Sequence, residues 1–162
     1  MSSSTPRLVP VTPENFDAVC AIRLHPHQEH LVSPVLKSLA EAYVYGASAW
    51  PRAIVDRGDG GNGGAEEVVG FVMAFLDIAW ADDADDRRSG IWRLNVSAAH
   101  QGRGYGRFAV RAVAEEIRRL GGTRAYVTWN PGEHTPEPFY LGLGFTTTGE
   151  LSGTQRVGVL AL

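Results

Sequence analysis

One stretch of the 162-residue chain limits its fold more than any other: Leu94-Asn95-Val96-Ser97-Ala98-Ala99-His100-Gln101-Gly102-Arg103-Gly104-Tyr105-Gly106-Arg107. Residues 91–96 place Trp92, Leu94 and Val96 on one face, the period of a β-strand. Over 107–120 the apolar residues Val110, Val113, Ile117 and Leu120 follow a helical period, and Gly121-Gly122 ends it. Glycine at 102, 104 and 106 lets the backbone between them turn sharply and admit a ligand close to its amides. The helix start adds unpaired N–H groups and the positive end of a dipole. Strand, glycine turn and helix together make an anion site suited to a diphosphate. The turn lacks the Gly-Lys-Ser/Thr ending of an ATP-binding P-loop. Its spacing also writes no G-x-G-x-x-G, and it stands too late in the chain for a first βαβ unit.

The other elements alternate around this segment. Residues 7–11 form a short extended segment. Thr12-Pro13 reads as an N-cap with proline at the first helical position, ahead of an apolar face of Phe16, Val19, Cys20 and Ile22. His25-Pro26-His27-Gln28-Glu29-His30 is a polar loop broken by proline. Ser33-Pro34 repeats the cap signal before Val35, Leu36, Leu39, Ala42 and Tyr43 at helical spacing. Residues 52–55 are a strand, 58–64 a flexible glycine turn, and 68–76 an unbroken apolar run of the kind a strand buried on both faces carries. Residues 82–88, charged with both signs, are expected as a loop. Strands at 125–129, 145–148 and 156–162 and a short helix at 137–143 complete the chain. This alternation predicts one α/β (α+β) domain over residues 1–162.

Composition excludes several partners. A formal net charge of −3 provides no basic face for nucleic acid or an anionic membrane, so neither is expected. Cys20 is the one cysteine and lies on the apolar side of its helix, so it reads as a small core residue with no disulfide. MSSSTPRLVP contains no apolar signal core, and no apolar run is long enough to span a bilayer; a cytoplasmic protein is expected. His25, His27, Glu29 and His30 fit no zinc spacing, so no metal is expected, and their loop is read instead as lining the acceptor pocket.

Two motifs carry a family resemblance. Gln101-Gly102-Arg103-Gly104-Tyr105-Gly106 resembles the Gln/Arg-x-x-Gly-x-Gly/Ala signature of the GNAT N-acetyltransferases. Phe139-Tyr140-Leu141-Gly142-Leu143-Gly144-Phe145 resembles the aromatic-Tyr-x-x-x-Gly-Phe end of the same family, one long helix and one strand further on. Trp92-Arg93-Leu94, Gln28-Glu29, Val32-Ser33 and Ser38-Leu39-Ala40-Glu41-Ala42-Tyr43 are similar to the subset that acetylates diamines and polyamines.

The resemblance implies a central mixed, mostly antiparallel sheet of six to seven strands flanked by about four helices. It implies acetyl-CoA as cosubstrate and no metal. The backbone of Leu94, Asn95 and Val96 would pair with the pantetheine arm. The diphosphate would rest on the N–H groups of Gln101, Gly102, Arg103, Gly104, Tyr105 and Gly106, with Arg107 and the Arg103 side chain nearby. Glu133 and Pro136 stand where the family carries asparagine and alanine, which leaves Asn130 as the asparagine for a cofactor contact. Tyr140 would stand near the sulfur. An amine attacks the thioester carbonyl and a thiolate leaves; a phenol with a pKa near 10 can protonate that thiolate or hold its charge.

The acceptor side is less specified. An alkylamine starts protonated, so some group must accept its proton, and Glu29, Glu41 and Asp77 are candidates. Glu29 and Glu41 are also the carboxylates expected to hold a cationic amine, and Trp50 and Trp80 are core residues or pocket walls. Three functions compete: direct acetylation of a small amine, with a polyamine as first choice; acetylation of a protein N-terminus or lysine; and a silent CoA-binding module. The intact motif at 101–106 and Tyr140 argue against the third. A homodimer follows by resemblance.

Overall fold

The computed structural model describes residues 5–58 and 64–162, so the expected turn at 58–64 lies largely outside the described residues. Strands β1 (Arg7–Val9), β2 (Ala49–Arg57), β3 (Glu66–Trp80), β4 (Asp83–Val96), β5 (Arg124–Trp129), β6 (Thr146–Ser152) and β7 (Gln155–Ala161) form one sheet. Their order is β1-β2-β3-β4-β5-β7-β6. Every neighbour is antiparallel except β4 and β5. That step needs a crossover, which is the helix α3 (Tyr105–Arg119). The mixed, mostly antiparallel α/β sheet agrees with expectation, as do the four α-helices α1 (Phe16–Cys20), α2 (Val35–Tyr45), α3 and α4 (Glu137–Gly142). Among the described residues no helix is long and apolar enough to cross a membrane.

Helices cover both faces of the sheet. Phe71 and Met73 of β3 pack with Val19 of α1 and Val35 of α2. Val72 and Ala74, pointing the other way, pack with Ala109, Val110, Val113 and Ile117 of α3 and with Tyr140 of α4. The unbroken apolar run of β3 thus serves two cores at once, one per side-chain parity.

The charged stretch expected as a loop over 82–88 is instead the first half of β4. Trp80 and Asp83 face each other across a two-residue turn, Ala81-Asp82. Both turn residues have positive φ, 50° and 61°. That is the backbone of the tight hairpin turn most often written with asparagine and glycine, and their absence hid it. Helix starts also shift. Pro34 rather than Ser33 is the N-cap of α2. At α1 it is the Thr12 carbonyl, not its side chain, that accepts from the amide of Phe16, at 2.9 Å. Helix α3 begins at Tyr105, inside the glycine turn.

The feature that positions the site is the meeting of β4 and β5. They pair only at Gly90↔Tyr126 and Ile91↔Val127. A Cβ on Gly90 would lie 1.9 Å from the Tyr126 carbonyl oxygen, so only glycine lets the backbones approach this closely. Beyond that point β4 follows β3 as far as Val96, and β5 follows β7 as far as Trp129. Two strand edges therefore face each other across a gap. A bulge adds to the effect: Met73 pairs with Arg93 and Ala74 with Ile91, leaving Trp92 as the extra residue. Trp92 packs toward the α2 side with Phe71 and Met73, while Ile91 and Leu94 join the α3 side.

Gly90→Ala should drive the strands apart at the one stretch where they pair. We expect a loss of at least about 2 kcal/mol in unfolding free energy, measured by denaturant titration, because overpacking against backbone cannot relax by a rotamer change.

Candidate active site

The gap between β4 and β5 opens into a cleft of about 1160 Å³. Leu94 and Val96 line one wall, Thr128, Trp129 and Asn130 the other, and the glycine turn and Tyr140 complete it. Gly102 and Gly104 have φ of +76° and +88°, the left-handed region that glycine enters without cost. Gly104 is the N-cap of α3, and the first amide bonded into that helix start is Phe108, to the Gly104 carbonyl at 3.0 Å. The amides of Gly102, Arg103, Gly104, Gly106 and Arg107 make no backbone hydrogen bond among the described residues, which is the donor array that an anion needs.

Side chains of the turn hold this array in place. The Gln101 amide nitrogen donates to the Val96 carbonyl at 3.0 Å and to Gln28 Oε1 at 2.7 Å. Gln28 Nε2 donates back to Gln101 Oε1 at 3.1 Å. Tyr105 points under the turn, where its hydroxyl donates to Asp56 Oδ2 at 2.6 Å. His100 places Nε2 3.3 Å from Glu67 Oε1, and its Nδ1 is buried without a partner. A Cβ on Gly106 would sit 3.1 Å from the Phe139 ring, so glycine there lets α3 and α4 close together. Gln101 and Tyr105 thus offer the cleft their backbone, while their side chains serve as anchors.

Tyr140 is buried, yet it lines the cleft. Its ring stacks on Trp129 at 5.8 Å and meets Phe139 and Phe145 edge-on at 5.0 and 5.5 Å. Its hydroxyl has no hydrogen-bond partner among the described residues. Burial pushes the phenol well above its usual range, so it stays a neutral donor.

The remaining expected residues divide. Arg107 and Asn130 line the cleft; the Asn130 carbonyl accepts from Thr135 Oγ1 at 2.7 Å. Arg103 is exposed at the tip of the turn, outside the lining. Asn95 turns its side chain to the α2 side, where Nδ2 donates to the Ser33 carbonyl at 3.3 Å, and its carbonyl lies toward Gly70 of β3, so Asn95 stands outside the cleft lining. None of the proposed proton acceptors stands in the cleft lining. Glu29 is exposed. Glu41 is bound by Arg93 at 3.2 Å, with Lys37 at 4.0 Å. Asp77 is exposed on the β3–β4 hairpin, bonded to Arg87 at 3.1 Å. Trp50 packs with the α3-side core and Trp80 with Phe75, so both are packing residues. Cys20 lies outside the lining, its thiol raised by burial and by Asp17.

The loop 25–30 borders the cleft through Gln28 and His30, as expected of a loop lining the acceptor pocket, whereas His134 was not anticipated. The His27 ring lies 5.1 Å from His134, joining the loops on either side of the cleft mouth. Gly90, Gln28 and Arg93 also shape the site. A glycine inside a strand was the one available signal, for Gly90. Among the described residues no group of three or more His, Cys, Asp or Glu could hold a metal. No lining residue is acidic, whereas Arg93 and Arg107 carry positive charge there. The cleft favours an anionic ligand.

Residues 20–145 match the family model described as Acetyltransferase (GNAT) family. No curated protein matches the chain. Among solved structures, a domain from Methanocaldococcus jannaschii superposes with a TM-score of 0.73 at 15% identity, covering 99% of this chain and 100% of that one. An acetyltransferase from Thermus thermophilus gives 0.63 at 22% identity, over 98% and 97%. A Bacillus subtilis acetyltransferase in complex with CoA gives 0.61 at 11% identity, over 99% and 99%.

Tyrosinate absorbance offers a check on the Tyr140 environment. In alkaline titration, wild type and Tyr140→Phe should show the same number of phenols ionising near the ordinary value of about 10. The extra ionisation of wild type should appear only with alkaline unfolding. One more phenol titrating reversibly near that value in wild type would contradict the burial.

Proposed function

The chain belongs to the acetyltransferase (GNAT) family, and from that premise we propose that residues 1–162 act as one domain that moves an acetyl group from acetyl-CoA directly to a small primary amine, a diamine or polyamine in the first reading. The observation that carries this is the gap beyond Gly90↔Tyr126 and Ile91↔Val127, placed beside a run of unbonded amides. The free edge of β4 at Leu94, Asn95 and Val96 suits the amide groups of a pantetheine arm. The amides of 101–106 suit its diphosphate, with Arg107 adding charge. Asn130 borders the same path.

Tyr140 supplies the proton or hydrogen bond that the leaving thiolate needs, and its raised pKa keeps that proton in place at neutral pH. The incoming amine must shed a proton. Of the groups on the cleft wall, the imidazoles of His30, His100 and His134 are the ones placed to accept it, directly or through water. Direct attack needs no acyl-enzyme, and the single cysteine, Cys20, stands away from the cleft. A cytoplasmic location belongs to the same reading.

One observation favours a second acceptor class. The cleft lining holds no carboxylate, and Glu41 is already neutralised by Arg93. The further ammonium groups of a polyamine would find no counter-charge there, whereas the N-terminus or lysine of a peptide needs none.

Thiol release from acetyl-CoA with a panel of spermidine, spermine and short peptides separates the two. Turnover with peptides alone would end the polyamine reading. In the same assay Tyr140→Phe should lower kcat by about 10²–10⁴-fold while CoA binding persists. Unchanged turnover would remove Tyr140 from the chemistry.

A further inference from the structure

We propose that the first two turns of α3 hold a second phosphate, the 3′-phosphate on the adenosine half of coenzyme A, between Arg107 and Arg111 and beside an apolar shelf of Phe108 and Ala112. The proposal rests on the coenzyme A reading above and adds a subsite to it.

A hollow of about 530 Å³ lies along this part of the helix, lined by Gly104, Arg107, Phe108, Arg111, Ala112 and Glu115. Gly104 and Arg107 also line the main cleft, so the hollow continues the cleft outward from the glycine turn. The direction matches the chemistry of the coenzyme. Beyond the diphosphate comes a ribose that bears the 3′-phosphate, and then a flat base. Arg107 and Arg111 are one helical turn apart, about 6 Å along the axis. Each guanidinium presents a donor fork that fits phosphate oxygens. The Phe108 ring and the Ala112 methyl offer the base a face to lie on.

The charge pattern of α3 points the same way. Arg103, Arg107 and Arg111 follow one another at intervals of four residues. They make no ion pair or hydrogen bond among the described residues. The later arginines of the same helix do: Arg118 bonds Glu115, and Arg119 bonds Glu116 at 2.6 Å. No acidic residue stands in the first turn of α3. Positive charge near a helix N-terminus opposes the dipole, and like charges four apart repel. The isolated helix would be better off with the opposite order. A bound phosphate reverses both terms, so the arrangement is costly alone and favourable when loaded. Glu115, at the far end of the hollow, is engaged by Arg118 and does not oppose the anion.

Calorimetric titration with coenzyme A and with 3′-dephospho-coenzyme A tests this. Wild type should bind coenzyme A about tenfold to a hundredfold more tightly than the dephospho form, the range expected for hydrogen bonds to a charged group. Arg111→Gln should erase most of that ratio by weakening coenzyme A alone, leaving dephospho-coenzyme A unchanged. Arg124→Gln, an arginine outside the hollow, should leave the ratio as in wild type and serves as the control for net charge. Equal binding of both coenzymes by wild type would overturn the subsite, as would a loss for Arg111→Gln that is the same for both. Failure of wild type to bind either coenzyme would instead overturn the coenzyme A reading itself, and the subsite with it.

Discussion

Two backbones that touch for two residue pairs and then separate govern this molecule. Gly90 allows the contact with Tyr126, and no other side chain fits there. Past Ile91 and Val127, β4 and β5 are each bonded on their outer side by β3 and β7. Their inner edges keep donors and acceptors with no strand to meet. Backbone polar groups left unpaired are costly away from water, so a gap of this kind is stable only because it stays open to solvent or to a ligand that can replace it. The glycine turn that follows β4 extends the same logic: the amides of Gly102, Arg103, Gly104 and Gly106 likewise meet no backbone acceptor among the described residues.

The supports around that row are arranged so that nothing competes for it. Gln101 spends its side chain on Gln28 and Val96 rather than on the turn amides. Tyr105 sends its hydroxyl below, to Asp56. Charge is distributed with the same effect. Glu41 is tied to Arg93, Glu67 to His100 and Glu137 to Arg156. The wall itself carries the arginines Arg93 and Arg107 and no carboxylate. An anionic coenzyme meets a preorganised field, and Tyr140, desolvated by Trp129, Phe139 and Phe145, keeps a proton to give where the chain of contacts ends.

Much of the fold and cleft was readable in the sequence because local patterns encode it. The glycines at 102, 104 and 106 mark their turn through conformational freedom alone, and the Tyr140 segment follows at the expected distance. The alternating cores of β3 show as one apolar run. What the sequence concealed depends on partners distant in the chain. Nothing around Gly90 reveals that Tyr126 will press against it. The bulge at Trp92 sets Arg93 toward α2, where it captures Glu41, and a period-two reading cannot anticipate that. The hairpin turn Ala81-Asp82 uses positive φ without glycine or asparagine, so the strand behind it looked like a charged loop. Glu29 and Asp77 were read by residue type, which says nothing about distance from a cleft.

Amide hydrogen exchange with and without coenzyme A probes the open edge and the turn together. Amides within 94–96 that face the gap, and those of 102–106, should slow when the coenzyme is added. Amides of β6 should remain as they were. If the coenzyme binds and the 94–96 and 102–106 amides exchange at unchanged rates, the gap between β4 and β5 is not where it lies.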